Sequence, residues 1–273
     1  MTQNASNELQ RATPSWRYIV IVFALLSTVI SVSAQQPSTP APSQAGVPTV
    51  EAKSAIGTAL KPIGDEQAIR NLDSCVVTGT LKQGVAIGAF TWKSAAQEYW
   101  VESNVDSVHI VAASNHGKPM RLMDGKTREL SISTMANPVP LYNVGMSLLR
   151  SRDNATLAIA VSPATGTSVA DVHITHAKPK DPDIEAAYET WTFDPQTGLP
   201  ASHVLKPFVY HGRPLAWTAQ YKFSDYHEAS GVNVPYHIEE YMNNQFIRSF
   251  DIQSFQCGVA LSGSDFEVSG GAK

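Results

Sequence analysis

Most of the chain alternates apolar and polar residues with a period of two, which is typical of β-strands with one buried face. The alternating segments are short and are separated by turn residues such as Asn115-His116-Gly117 and Asn243-Asn244, which tolerate positive φ. This rhythm favours an antiparallel meander over alternating β and α units. The segments predicted as strands are 74–82, 85–92, 97–103, 107–114, 118–123, 156–161, 169–175, 187–193, 201–206, 215–226, 234–242 and 246–255.

Helical periodicity interrupts this pattern in two places. Apolar residues recur at helical spacing from Val50 to Leu72, where Pro62 and Gly64 divide the segment into two short helices. The second place follows Pro140, which is suited to the first turn of a helix, and extends to Arg152. Its apolar stripe must cover another surface. Ordinary packing against the sheet and gating of a ligand are both open interpretations.

The segment from Arg17 to Ala34 has the order of a secretory signal, so residues 1–34 are predicted to be removed on export. An uncharged apolar run, Tyr18 to Ile30, is followed by small residues that end at Ala34. The alternative is a retained membrane anchor, but the run is shorter than the ~20 residues that a spanning helix needs. Residues 35–49 are rich in Pro and Ser and are predicted to be an extended linker. One globular domain is expected over 50–268, with a disordered tail at 269–273.

Composition narrows the function classes. The net charge is −4 and charged residues make up 16% of the chain, below the ~25% of typical soluble proteins. Nucleic-acid binding is therefore not expected, because neutralising phosphates requires clustered Lys and Arg. The two cysteines, Cys75 and Cys257, lie in the first and last predicted strands. Export permits a disulfide between them if those strands are neighbours, and two buried free thiols are the alternative.

The sequence contains no motif that predicts catalysis or metal binding. It has no G-x-S-x-G elbow, no HExxH and no CxxC. His173 and His176 are three residues apart, which in a strand places them on opposite faces. The same alternation separates the adjacent carboxylates Glu239 and Glu240. We therefore expect no enzyme activity, no cofactor and no metal. A hydrolase stays open only if folding brings a nucleophile and a base together in a polar cleft.

Aromatic and aliphatic side chains on the strands are the remaining candidates for function. Ordinary core packing and a cavity for an apolar ligand both explain them. The side chains predicted to line such a cavity are Trp100, Leu148, Trp191, Phe193, Tyr221, Phe223, Tyr236 and Phe250.

The segment WTFDPQTGLP, from Trp191 to Pro200, resembles a signature hairpin of the LolA/LolB-like superfamily of periplasmic lipoprotein carriers and their relatives. The later order is similar: Asp225-Tyr226 closes one strand and Gly231-Val232-Asn233-Val234-Pro235 leads into the next. The closing segment from Cys257 to Phe266, and the entry Leu72-Asp73-Ser74 into a strand, also resemble the family. The resemblance covers most of residues 51–267.

The resemblance implies a mainly β (α+β) fold, an incomplete antiparallel β-barrel of roughly eleven strands with helices on its concave side. It also implies a protein that carries or senses lipid acyl chains. We therefore expect a non-enzymatic protein of the cell envelope, periplasmic or secreted. It would bind a lipid, a lipoprotein acyl chain or another apolar ligand in a half-barrel cavity. The alternative is a protein-interaction or envelope stress-sensing module of the same fold, with an envelope protein as its partner.

Overall fold

The computed structural model describes residues 50–95, 98–115, 118–123, 125–129, 141–154, 158–161, 171–175, 184–185, 188–206, 209–210 and 218–268. They belong to one compact unit, Pro42–Lys273. The predicted signal at 1–34, the predicted linker at 35–49 and the predicted tail at 269–273 lie outside the described residues.

The described residues form three α-helices, one 3-10 helix at Gly263–Phe266 and fifteen strands. The helices are α1 (Val50–Leu60), α2 (Glu66–Arg70) and α3 (Val144–Asp153). The strands are β1 (Cys75–Gln83), β2 (Ala86–Ala95), β3 (Glu98–Val105), β4 (Val108–Asn115), β5 (Lys118–Met123), β6 (Lys126–Glu129), β7 (Ala158–Val161), β8 (Val172–Thr175), β9 (Ile184–Glu185), β10 (Tyr188–Phe193), β11 (Pro200–Lys206), β12 (Val209–Tyr210), β13 (Ala219–Ala229), β14 (Val232–Met242) and β15 (Gln245–Cys257). None of the helices in the described ranges is long and apolar enough to cross a bilayer.

Thirteen strands form one antiparallel sheet in the order β6-β5-β4-β3-β2-β1-β15-β14-β13-β11-β10-β8-β7, and β12 pairs with β9 separately. The sheet is open, because β6 and β7 end it on opposite sides. The predicted fold class, an incomplete antiparallel barrel with a few helices, is confirmed. The strand number is higher than roughly eleven. One additional strand is β6, which was not predicted from the sequence because four residues are too few for a visible alternation.

The helices cover one face of the sheet, which we call the inner face. Alternate residues of β1 point to it, with Cys75, Val77 and Leu81 buried there. The core that these side chains form also contains Ile63 between the first two helices and Leu148 of α3. The expectation that the helical segments lie against the concave side of the sheet is therefore confirmed.

Helix α3 begins later than the sequence predicted. Its N-cap is Asn143, whose side-chain oxygen accepts a hydrogen bond from the Met146 backbone N–H at 3.1 Å. The Asn143 amide group also donates to the Leu72 carbonyl at 3.2 Å. The prediction that the helix starts at Pro140 is wrong, because an asparagine that satisfies both the first turn and a neighbouring carbonyl fixes the start at Val144.

The connection between α1 and α2 is fastened to the β13–β14 hairpin. The Asn233 backbone N–H donates to the Ile63 carbonyl at 2.7 Å, and its side-chain amide donates to the Pro62 carbonyl at 2.8 Å. Gly64 forms a β-bridge with Val232 and approaches so closely that a Cβ atom would lie 2.8 Å from the Gly231 carbonyl oxygen. This contact requires glycine at position 64, which also has φ +155°.

An exposed ion network joins α2 to the end of α3. Glu66 pairs with Arg70 at 2.9 Å and with Arg152 at 2.8 Å. Arg70 also pairs with Asp153 at 2.7 Å. The hydrogen bonds from Arg152 and then Arg70 lower the pKa of Glu66 from 4.5 to about 2.

The predicted disulfide between Cys75 and Cys257 is confirmed, and the alternative of two free thiols is wrong. The two residues lie directly opposite each other in the β1–β15 pair, with Cα atoms 4.1 Å apart. They are 182 residues apart in sequence, so the bond closes nearly the whole described domain into one loop. In the chain-entropy model a loop of this length stabilises the fold by about 5 kcal/mol.

Removing the disulfide with a Cys75→Ala/Cys257→Ala double substitution is expected to lower the free energy of unfolding by up to about 5 kcal/mol. Urea unfolding of the oxidised protein, the reduced protein and the double variant measures this. The reduced protein is expected to have a urea midpoint close to that of the double variant. The double variant serves as the control, because it has no disulfide that a reductant could break. Coincident midpoints for the oxidised and reduced proteins would contradict the prediction.

A Glu66→Gln substitution is expected to flatten the acid side of the stability profile. Because the pKa of folded Glu66 is about 2, below its ordinary 4.5, its carboxylate stabilises the fold above pH 4.5. That contribution is lost as the pH falls from 4.5 towards 2. Urea unfolding at low salt over this range measures the difference, with Glu228→Gln as the control outside the network. Parallel profiles for wild type and Glu66→Gln would show that the network contributes nothing to stability.

Candidate functional site

Strand register brings five side chains into one row across the sheet. Trp191 lies opposite His203, His203 opposite Tyr221, Tyr221 opposite Glu240 and Glu240 opposite Arg248. Residues directly opposite each other in an antiparallel sheet point to the same face. We call these five residues the polar row. It crosses β10, β11, β13, β14 and β15.

The polar row lies on the inner face. Each of its strands carries a core side chain two residues away, and residues two apart share a face. Phe223 follows Tyr221, Ile238 precedes Glu240 and Phe250 follows Arg248, and all three are buried in the core.

Aromatic stacking holds the interior end of the row. The Trp191 indole lies on the His203 imidazole, with ring centroids 3.9 Å apart and planes 7° from parallel. Phe223 stacks on the indole at 6.2 Å, and the Tyr221 ring lies 6.2 Å from His203. These contacts fix the orientation of the Trp191 ring plane.

The charged side chains of this region occur in acid–base pairs. His203 Nε2 lies 2.8 Å from a carboxylate oxygen of Glu189, and both side chains are buried. Glu189 is two residues before Trp191 and therefore shares its face. At the other end, the Arg248 Nε donates to the Glu240 carboxylate. Pairing of this kind is what makes a buried carboxylate tolerable.

The row runs from solvent to the interior. The Arg248 side chain is 38% exposed, Glu240 is 9% exposed and Trp191 is 1% exposed. Burial, and then the neighbouring Glu240 carboxylate, raise the pKa of Tyr221 well above its usual value, so its phenol is neutral at physiological pH. At Tyr221, between the Glu189–His203 and Glu240–Arg248 pairs, the row therefore presents a neutral aromatic group.

The Trp191 indole N–H is buried and has no hydrogen-bond partner within the described ranges. An indole nitrogen can only donate. Leaving such a donor unsatisfied costs about 1–3 kcal/mol, and native proteins rarely tolerate it. The site therefore contains a fixed donor with no described acceptor.

The part of the inner face beside the Tyr142 turn is filled by side chains. Trp92 lies 4.7 Å from Phe90 and 4.8 Å from Phe250, measured between ring centroids. Tyr142 stacks on Trp92 at 5.7 Å, and its hydroxyl lies 2.6 Å from the Ser94 hydroxyl. Aromatic packing and this hydrogen bond satisfy that region internally, whereas the polar row retains an unused donor.

The register places seven of the eight predicted cavity-lining residues on the inner face or in the core beneath the helices. Trp191 and Tyr221 belong to the polar row, and Phe223 and Phe250 lie beside it. The others belong to the core or pack against it: Leu148, Phe193 and Tyr236. Whether any of them contacts a ligand stays a prediction.

Trp100 is on the outer face, so its prediction as a cavity-lining residue is wrong. It lies opposite Lys93, whose ammonium nitrogen is 4.8 Å from the ring centroid. Its neighbour Tyr99 instead lies opposite Ser94 and is buried. Two adjacent aromatic residues leave the register of a strand undecided, and a shift of one residue exchanges the faces.

Sequence reasoning did not select four residues of this region. Each is a polar residue at a position where the alternation of its strand calls for an apolar side chain, and this was the available signal. His203 is two residues from Leu205, for example, and both are buried. The four are Glu189, His203, Glu240 and Arg248.

A Tyr142→Phe substitution is expected to lower the free energy of unfolding by about 1–2 kcal/mol, because it leaves the buried Ser94 hydroxyl without this partner. The matched control is the double variant Ser94→Ala/Tyr142→Phe. Removing both polar groups is expected to recover part of the loss. Urea unfolding measures both, and a Tyr142→Phe variant as stable as wild type would show that the hydrogen bond contributes nothing.

Comparison with known proteins finds no matching family model and no matching curated protein. Among solved structures, the chain is similar to a DUF1329 family protein from Desulfovibrio piger (TM-score 0.49, 13% identity, 80% of this chain and 98% of that one). It is also similar to a LolA superfamily protein from Nitrosomonas europaea (TM-score 0.49, 10% identity, 80% and 97%). A third likeness is to the Pseudomonas aeruginosa MucA/MucB complex (TM-score 0.22, 11% identity, 81% and 62%). At these TM-scores the likenesses carry no argument about function. They include a member of the superfamily that the Trp191–Pro200 hairpin resembles.

Proposed function

We propose that this chain is an exported, non-enzymatic protein of the cell envelope that binds an apolar ligand, a lipid or a lipoprotein acyl chain, on the inner face of its open sheet. Export follows from the predicted signal at 1–34, and the apolar ligand from the geometry of the sheet. A protein-interaction or stress-sensing module is the alternative.

The observation that carries the proposal is the distribution of exposed apolar side chains. All the large apolar side chains found exposed in the described ranges lie at one rim of the sheet, where the β1–β2, β3–β4, β5–β6 and β14–β15 turns meet. We call this the apolar rim. Its members are Val85, Ile87, Val108, Met123, Met242 and Phe246.

The apolar rim is the end of the sheet at which the polar row reaches solvent. Arg248 and Glu240 are close to the β14–β15 turn, which contributes Met242 and Phe246 to the rim. The disulfide and the Gly64–Val232 bridge lie at the opposite end, where the chain is fastened. An apolar ligand that enters over the rim and crosses the row meets Phe223, Ile238 and Phe250, which lie next to one another on the side of the row away from the rim.

The contacts of His203 favour binding over hydrolysis. A hydrolase would need the imidazole to activate a hydroxyl or thiol. The described hydrogen bond of His203 goes to Glu189, and its ring faces are occupied by Trp191 and approached by Tyr221. The two cysteines are joined to each other. Contacts that hold the imidazole in place in this way suit a binding surface.

Native mass spectrometry of the exported protein, before and after incubation with phospholipid vesicles, tests the proposal. We expect a bound lipid that solvent extraction removes. A Phe223→Ala substitution is expected to reduce retention several-fold, because it removes apolar surface beside the row, and Phe223→Leu is expected to retain more of it.

The matched control is Trp100→Ala, which removes an aromatic side chain from the outer face of the same sheet and is expected to leave retention unchanged. Circular dichroism confirms that each variant is folded. A folded wild-type protein without lipid in both preparations would overturn the proposal. Equal losses in Phe223→Ala and Trp100→Ala would place binding elsewhere than on the inner face.

A further inference from the structure

We infer that the ligand of the inner face carries an uncharged hydrogen-bond acceptor, an ester or amide carbonyl, which the Trp191 indole N–H binds. This inference rests on the proposed function and specifies the class of its ligand. The buried N–H without a described partner and the paired charges around it support the inference independently of each other.

The Trp191 donor is held in place. Its ring is 1% exposed and lies against His203 at 3.9 Å, with Phe223 stacked at 6.2 Å. Turning the N–H to bulk water would break both stacks. A fixed donor in an apolar surrounding binds an acceptor more strongly than it would in water, since both partners are shielded. Its partner must be a hydrogen-bond acceptor, because the indole nitrogen can donate a hydrogen bond but cannot accept one.

The charges of the region select an uncharged acceptor. Within the described ranges, the Glu189 carboxylate pairs with His203 and the Glu240 carboxylate with Arg248. A ligand carboxylate or phosphate brought to Trp191 would enter a buried place whose basic groups already have acidic partners. Burying an ion without a counter-charge is far more costly than burying a carbonyl. The row therefore favours a neutral ester or amide over a free acid.

The depth of Trp191 determines how such a ligand is placed. The row begins at the half-exposed Arg248 and ends at Trp191, so the carbonyl reaches the inner end of the row. Next to Trp191 the sheet continues with Val172 and Phe193, which are buried and apolar. These side chains surround the acyl chain attached to the carbonyl.

Displacement of a polarity-sensitive fluorescent probe by methyl palmitate, hexadecane and palmitate tests the inference. For the wild type we expect methyl palmitate to displace the probe at about tenfold lower concentration than hexadecane, as one buried hydrogen bond provides. Palmitate is expected to displace it no better than the ester. In Trp191→Phe, which retains the ring but lacks the N–H, the ester and hexadecane are expected to become equal.

Trp92→Phe is the matched control, because it removes an indole N–H from the aromatic cluster of the inner face. It is expected to leave the tenfold preference for methyl palmitate over hexadecane intact. Equal displacement by ester and hexadecane in the wild type would overturn the inference and leave the proposed function standing. So would an ester preference that persists in Trp191→Phe, or a preference for palmitate. If none of the three compounds displaces the probe from folded wild type, the proposed function fails together with the inference.

Discussion

The pairing of the first strand with the last is the constraint on which the rest of the structure depends. β1 and β15 pair along most of their length in the middle of the sheet and are joined by the disulfide. From that centre, one meander runs outward through β2 to β6 and the other through β14 to β7. Two strands that follow each other in sequence, β6 and β7, therefore become the opposite edges. The segment between them contains α3, which packs on the inner face.

This topology divides the inner face into two parts, which differ in how far their side chains are satisfied by contacts with one another. Beside the helices, the Phe90–Trp92–Phe250 cluster and the Tyr142–Ser94 hydrogen bond leave the side chains satisfied by one another. Asn233 holds the α1–α2 connection by a hydrogen bond. Asn143 holds the start of α3 by a hydrogen bond, and the ion pairs of Glu66 hold its end. Towards the apolar rim, buried pairs and a donor without a described acceptor replace this closed packing. The proposed binding surface therefore lies away from the end of the sheet that contains the disulfide.

The local pattern of apolar and polar residues was sufficient to predict much of the fold. Period-two alternation located the strands from β1 to β5 to within a few residues, and in β1 and the second half of β2 it coincides with alternate burial. Export and the positions of Cys75 and Cys257 predicted the disulfide. Two predictions were wrong because neighbouring residues gave competing local signals. The adjacent aromatics Tyr99 and Trp100 left the face undecided, and the asparagine cap at position 143 overrode the proline signal for α3.

The polar row could not be predicted in this way, because it exists only through the register of five strands. Replacing buried ion pairs by apolar residues is often neutral or stabilising, so the Glu189–His203 and Glu240–Arg248 pairs are weak evidence of a contribution to stability. We propose that on the inner face these two pairs contribute to specificity. Such a role depends on register, since a slip of one residue in β15 would turn Arg248 to the outer face. β15 also carries Cys257, whose bond to Cys75 fixes its pairing with β1. The same covalent constraint that determines the topology thus also holds the exposed end of the row opposite Glu240.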